Sequence, residues 1–148
     1  MKRLLFMSAI ALIVCATALQ AQESVSTTRI QTQHKATSSM GKRLAEYEAN
    51  LLKTLEVGNP AAQAQSVQAI RELEQMYPNY PFAASLAPLE AKLKDENADR
   101  IVRRLAALAL DELHSDAGDA VVKDVASTSK DKGLQSLCEA LMVRSQGK

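Results

Sequence analysis

The densest group of residues that could do chemistry lies between positions 111 and 119. It contains Asp111, Glu112, His114, Asp116 and Asp119. Asp111 and His114 are three residues apart, so on a helix they would share a face and could share a metal ion. The group has one histidine and no cysteine, and its spacing does not fit a calcium loop. The sequence therefore leaves two alternatives, a cation site and ordinary solvated turn residues in which protonated His114 complements a helix dipole.

The strongest basic group consists of Arg100, Arg103 and Arg104, whose spacing of three and four residues places them on one helical face. Such a group could bind an anion or a protein partner. The alternative is that Arg103 bonds to a preceding turn while Arg100 and Arg104 are solvated. Nucleic acid is not an expected partner, because the chain is nearly neutral and only 3% of its residues are aromatic.

Three aromatic residues, Tyr77, Tyr80 and Phe82, surround the prolines Pro78 and Pro81. Aromatic side chains on an exposed connection are typical anchors for a protein partner. They also serve as packing between neighbouring helices. We expect Tyr77 and Phe82 to pack, and Tyr80 is open to either role.

Motifs of the common enzyme classes are absent from the sequence. There is no glycine-rich phosphate loop and no G-x-S-x-G, H-E-x-x-H or C-x-x-C. Cys138 lies at the apolar spacing of Leu134, Leu137 and Leu141, which favours a buried small hydrophobe over intermolecular pairing or redox chemistry. We therefore expect a protein that is not an enzyme and that carries no cofactor.

The N-terminus has the features of a secretory signal peptide. Lys2 and Arg3 precede an apolar stretch that ends at Ala18, and cleavage is expected after Ala21 or after Ala18. The apolar stretch, about 15 residues, is shorter than the roughly 20 that span a bilayer. Residues 1–21 are thus predicted to be removed and the protein exported to the periplasm or cell exterior. Membrane attachment is expected only if this segment is retained.

The exported chain carries little net charge. Removing Lys2 and Arg3 from the 18 basic residues leaves 16 against 17 acidic ones, a net charge of −1. Residues 22–39 are rich in Ser, Thr and Gln without helical or strand periodicity, which predicts a flexible leader. From Met40 onward, apolar residues recur every three or four positions. This predicts six helices, the fifth of them short, with a polar loop at 127–133 and no strand.

Local signals divide the six predicted helices into pairs. Asn59 and Asn97 are placed to cap the second and fourth helices. Pro78 and Pro81 separate the first pair from the second. Residues 97–113 (NADRIVRRLAALALDEL) also match residues 59–73 (NPAAQAQSVQAIREL) at an offset of forty positions. A repeat of helical patterns at this period is typical of stacked helix pairs.

The fourth helix is apolar over more than half its circumference, so we expect it to lie inside the domain. Leu105→Asp should therefore unfold the domain, because it would bury an unpaired charge.

The turn and helix at residues 94–113 resemble the HEAT-repeat family, whose second helices carry the pattern V-R-x-x-A-A-x-A-L-x-x-L. The resemblance implies an all-α fold, a short α-α superhelix of about three antiparallel helix pairs over residues 40–143, with 144–148 as a tail. It also implies that Asp95 or Asn97 bonds to Arg103. The first pair has Gln63 in place of this arginine, and the third pair lacks the motif. Tetratricopeptide repeats fit less well, because their landmark residues are missing.

These observations predict an exported, non-catalytic module or scaffold that binds an unidentified protein partner. The expected contacts are Arg100, Arg104 and Tyr80. One alternative is an enzyme or metal-dependent protein that uses Asp111, His114 and Asp116. Another is a membrane-anchored envelope subunit with an uncleaved N-terminal segment.

Overall fold

The computed structural model describes residues 39–146, and this part of the chain is all-helical. The helices are α1 (residues 39–57), α2 (Pro60–Met76), α3 (Ala83–Lys94), α4 (Arg100–Glu112), α5 (Asp116–Thr128) and α6 (Lys132–Gln146). The described residues contain no strand, so the all-α prediction is confirmed. The predicted signal peptide, and the predicted leader up to position 38, lie outside the described residues.

The chain divides into two compact units, Met1–Lys42 and Arg43–Lys148. The boundary falls within α1, and only residues 39–42 of the first unit are described. None of the described helices combines the length and apolarity that a membrane crossing requires.

Helix caps were predicted correctly at α2 and wrongly at α4. The backbone N–H of Ala62 donates to Oδ1 of Asn59 at 2.9 Å, as expected for an N-cap. At α4 the cap is Asp99, which accepts from the N–H of Ile101 at 2.8 Å. Asn97 lies in the turn before it and donates its own N–H to Asp95 at 2.9 Å. Asp and Asn cap helices about equally well, so the sequence signal could not choose between them.

The third helix pair is longer than predicted. Helix α5 has 13 residues, as many as α4, and begins at its cap Ser115. The predicted polar loop at 127–133 shrinks to residues 129–131, because α5 continues to Thr128 and α6 begins at Lys132. The carboxylate of Asp131 accepts from the N–H groups of Gly133 and Leu134 and thereby caps α6. At its other end α6 runs to Gln146, past the predicted domain boundary at 143.

Helix α4 lies inside the second unit, as its composition predicted, and packs against α2, α3, α5 and α6. Val102, Ala106 and Leu110 are fully buried in the main core. The apolar face is narrower than the sequence suggested, because Ile101 is 63% exposed and Leu105 is only half-buried. The arginine of this helix, Arg103, is buried and donates from Nε to the carbonyl of Leu93 at 3.1 Å. The bond expected from Asp95 or Asn97 is therefore replaced by one to the end of α3.

The Asn59 cap makes a measurable contribution to stability. Asn59→Ala should lower the free energy of unfolding by about 1 kcal/mol, because the N–H of Ala62 loses its acceptor. Asn59→Asp keeps an acceptor at the same place and is the matched control. Urea denaturation measures both variants. Equal losses of stability in both would show that the cap bond contributes nothing.

Candidate functional site

A cleft of about 460 Å³ opens where α2 and α4 both end. Its walls come from the last turns of these helices, from the proline-containing linker and from the turn after α4. We call it the Glu74 cleft, and its lining residues are Glu74, Gln75, Pro78, Tyr80, Pro81, Phe82, Glu112, Leu113 and His114.

Glu74 is the least expected residue in this cleft. Its side chain is only 8% exposed, and both carboxyl oxygens are buried without a hydrogen-bond partner among the described residues. Burial raises the pKa of Glu74 to about 8, the negative charges of Glu112 and Glu48 add to the rise, and Arg71 opposes it. The carboxyl is therefore mostly protonated at pH 7. A buried polar group without a partner is uncommon in folded proteins and points to a role.

Arg71 cannot neutralise Glu74 because it is already paired. Its Nε and Nη2 donate to the two carboxylate oxygens of Glu112 at 2.9 and 2.6 Å, and its Nη1 donates to Gln68 at 3.1 Å. The two parallel bonds to one carboxylate are the strongest arrangement that this pair can form, and they raise the pKa of Arg71. The pair joins α2 to α4 beside the cleft.

A second buried acid, Glu48 of α1, orients the aromatic wall. The hydroxyls of Tyr80 and Ser85 donate to its two oxygens at 3.1 and 2.7 Å. The ring of Tyr80 meets that of Phe82 edge to face, with centroids 4.6 Å apart. Phe82 is 1% exposed and Tyr77 is half-buried against the same cluster, so the predicted packing of both is confirmed. Tyr80 therefore packs against Phe82 and also lines the cleft.

Two residues at the cleft have an unusual backbone conformation. Phe82 (φ 39°) and His114 (φ 47°) are the non-glycine residues with positive φ in the described part of the chain. This region is sterically costly for residues with a Cβ, roughly 1–3 kcal/mol each, and such residues tend to lie at functional sites. Both line the Glu74 cleft, which marks it as the candidate site.

The residues of the alternative cation site are not brought together. Helix α4 ends at Glu112 and His114 is in the left-handed region, so the three-residue spacing from Asp111 is not a helical one. Asp111 is 5% exposed and accepts a bond from Nη2 of Arg144 in α6. It lines a separate cavity of about 110 Å³ with Asp119, away from His114. Within residues 39–146, no three His, Cys, Asp or Glu side chains are arranged to hold a metal ion.

The three arginines of α4 have different surroundings. Nε and Nη2 of Arg100 donate to the carboxylate of Asp131 at 2.9 and 3.0 Å, which lowers the pKa of that carboxyl. Arg103 is buried and Arg104 is exposed. Arg100 begins α4, whereas Tyr80 lines the cleft at the other end of this helix, which is roughly 18 Å long at 1.5 Å per residue. The three expected contacts Arg100, Arg104 and Tyr80 therefore do not form one compact surface.

Sequence reasoning missed Glu74, although a signal for it existed. Glu74 follows Ile70 by four residues and therefore lies on the apolar face of α2 with it. An acid on such a face is the pattern that a helical-wheel count would have found. The prediction for Cys138 was correct: it is buried, and burial raises the pKa of its thiol to about 11.

No protein-family model matches this chain, and no curated protein or solved structure matches it either. The resemblance to HEAT repeats thus stays a prediction from the residues. The side chains of the Glu74 cleft are the basis on which a function can be proposed.

Proposed function

We propose that the protein is an exported, non-catalytic interaction module that holds a protein partner in the Glu74 cleft. The observation that carries this proposal is the buried carboxyl of Glu74, which lacks a partner at the edge of an open cleft. Leaving such a group unpaired costs free energy, on the order of 1–3 kcal/mol. A ligand that supplies the missing bond would recover that cost on binding.

The neighbouring groups of the cleft favour binding over chemistry. The hydroxyl of Tyr80 is committed to Glu48, and the carboxylate of Glu112 is committed to Arg71. These bonds hold the cleft walls in place without a ligand. Preorganised walls of this kind reduce the entropy lost on association. Glu74 is then the group left to pair with what enters.

The packing of the helices supports a short α-α superhelix of three antiparallel pairs. Helices α3 and α4 pack together, as do α5 and α6. Between pairs, α2, α4 and α6 are in contact in series, and α3 contacts α5. That is the neighbour pattern of stacked helix pairs, which commonly act as binding surfaces. Fold alone does not assign a function, so the cleft carries the proposal.

Recovery of a partner from the native cell envelope tests the proposal. We expect one stoichiometric protein to co-purify with the chain and to be identified by mass spectrometry. Tyr80→Ala should lower its recovery about ten-fold, a typical cost for an aromatic anchor. Arg104→Ala removes an exposed contact that the sequence suggested, away from the cleft, and should leave recovery unchanged if the partner lies in the Glu74 cleft.

Circular dichroism must first show that Tyr80→Ala is folded, because this variant also loses a bond to Glu48. Loss of the partner in Arg104→Ala alone would place binding at the basic part of α4 instead. Isolation as a lone monomer would contradict an interaction role. Export is tested separately by the N-terminal residue of the mature protein, which we expect to be Gln22 or Leu19.

A further inference from the structure

We propose that the Glu74 cleft receives the cationic side chain of a lysine or arginine from the partner protein, which pairs with the Glu74 carboxylate. This inference rests on the proposed function and names the chemistry of the ligand. It follows from the balance of charges, from the bonds already formed in the cleft and from the shape of its walls.

Acidic groups outnumber basic ones around this cleft. The carboxyl groups of Glu48 in α1 and Glu112 in α4 act on that of Glu74 in α2, and Arg71 is the cation that opposes them there. A positive charge from outside would correct this imbalance. An anionic ligand would increase it.

Two of the three acids are already satisfied. Both oxygens of Glu112 accept from Arg71, and both oxygens of Glu48 accept from hydroxyls. Glu74 has neither kind of bond from the described residues. Glu74 lines the cleft, and no hydrogen bond from the described residues holds its carboxyl. The incoming cation would therefore meet Glu74 rather than displace Arg71.

The walls suit a long basic side chain. Pro78 and Pro81 offer apolar surface on which the methylene stem of a lysine or arginine can lie. The ring of Tyr80 is half-buried in the same wall, where its face can attract a cation. The volume of about 460 Å³ falls within the usual range of ligand pockets, roughly 300–1,000 Å³. One side chain with its flanking backbone fits such a space.

Pairing is coupled to the release of a proton. The neutral carboxyl of Glu74 gives its proton to the buffer as the ammonium group arrives, so that a carboxylate faces the cation. Because the pKa of Glu74 is raised to about 8, the group is mostly protonated in the free protein at pH 7. The charged groups that act on it are Arg71, Glu112 and Glu48, and the last two oppose its ionisation. Tyr80 and His114 are the other titratable side chains that line the cleft. Binding of a cation should thus release close to one proton for each ligand bound.

Isothermal titration calorimetry with Nα-acetyl-lysine amide at pH 7 tests the inference. A single side chain should bind with a Kd on the order of 1 mM. Titrations in phosphate and in Tris, which differ in ionisation enthalpy, measure the proton released. Nα-acetyl-norleucine amide has the same stem without the charge and should not bind. Glu74→Gln should weaken binding of the lysine probe at least about ten-fold and abolish proton release.

Thermal melting of Glu74→Gln confirms that the variant is folded, and Glu74→Asp, which keeps a carboxyl, should bind with intermediate affinity. Equal binding of the norleucine probe, unchanged binding by Glu74→Gln, or no binding of the lysine probe at 50-fold its expected Kd would each overturn the inference. The proposed function would survive these outcomes if Tyr80→Ala still reduced recovery of the partner. The proposed function would be contradicted, whatever the result with the lysine probe, if recovery of the partner did not depend on Tyr80.

Discussion

Leu110→Asp should unfold the helical domain, whereas Leu105→Asp, five positions earlier in α4, should leave it folded with reduced stability. Leu110 is 0% exposed in the main core, where a carboxylate would be buried without a partner. The cost is several kcal/mol, a large part of the total stability of a small domain. Leu105 is half-buried, so an aspartate there can reach water.

Far-UV circular dichroism and urea denaturation distinguish the two variants. We expect a strongly reduced helical signal and no cooperative transition for Leu110→Asp, and a cooperative transition at lower urea concentration for Leu105→Asp. This result would replace the expectation from the sequence, which assigned the unfolding effect to Leu105. Cooperative melting of Leu110→Asp would mean that α4 is not central to the core.

The stability of the protein should fall as the pH rises from about 5 to about 8. The pKa of Glu74 is raised from its ordinary 4.5 to about 8 in the folded state, so the folded protein holds this proton more tightly than the unfolded chain does. Stability from this group is fully present below the unfolded pKa and is lost as pH passes through the folded one. The loss is on the order of 3–5 kcal/mol. The contribution of Glu74 becomes constant about one pH unit above its folded pKa, near pH 9.

Glu74→Gln isolates this effect, because glutamine resembles the protonated acid and does not titrate. We expect the variant to be more stable than the wild type at pH 9 by a few kcal/mol, and to be within about 1 kcal/mol of it at pH 5. Urea denaturation at each pH measures the difference. The lowered pKa of Asp131 affects stability only in acid, below its unfolded value, and lies outside this window. Parallel pH profiles for the two proteins would show that Glu74 is already ionised in the folded state.

Helix positions followed from the sequence because their signals are local. Recurrence of apolar residues every three or four positions marks each helix, and Asn59 and Pro78 mark the two ends of α2. The burial of Phe82 and of Cys138 followed from the same spacing. The errors arose where neighbouring signals were equivalent, as with Asn97 and Asp99 before α4. The length of α5 was underestimated for a different reason. Ser127 and Thr128 have a low intrinsic preference for helix, but the packed helix includes both.

The Glu74 cleft could not be read from the sequence, because its parts come from separate helices. The apolar face of α2 could have shown that Glu74 is buried, but nothing within α1, α2 or α4 taken singly shows that Glu48, Glu74 and Glu112 come together. Their burial, and the pairing of Arg71 with Glu112 rather than with Glu74, depend on how α1, α2 and α4 meet. Conversely, the spacing of Asp111 and His114 suggested that they share a helix face. Helix α4 ends between them, so they do not.

The sequence by itself determined the helical class, the number of helices in the described part of the chain and many of the buried apolar positions, although Ile101 is exposed. Tertiary structure decided which charges are paired and which one is left alone. The physical reason is the separation along the chain over which each interaction acts. Helix periodicity and capping act over a few residues, whereas the desolvation and pairing of Glu74 depend on groups brought together only by packing.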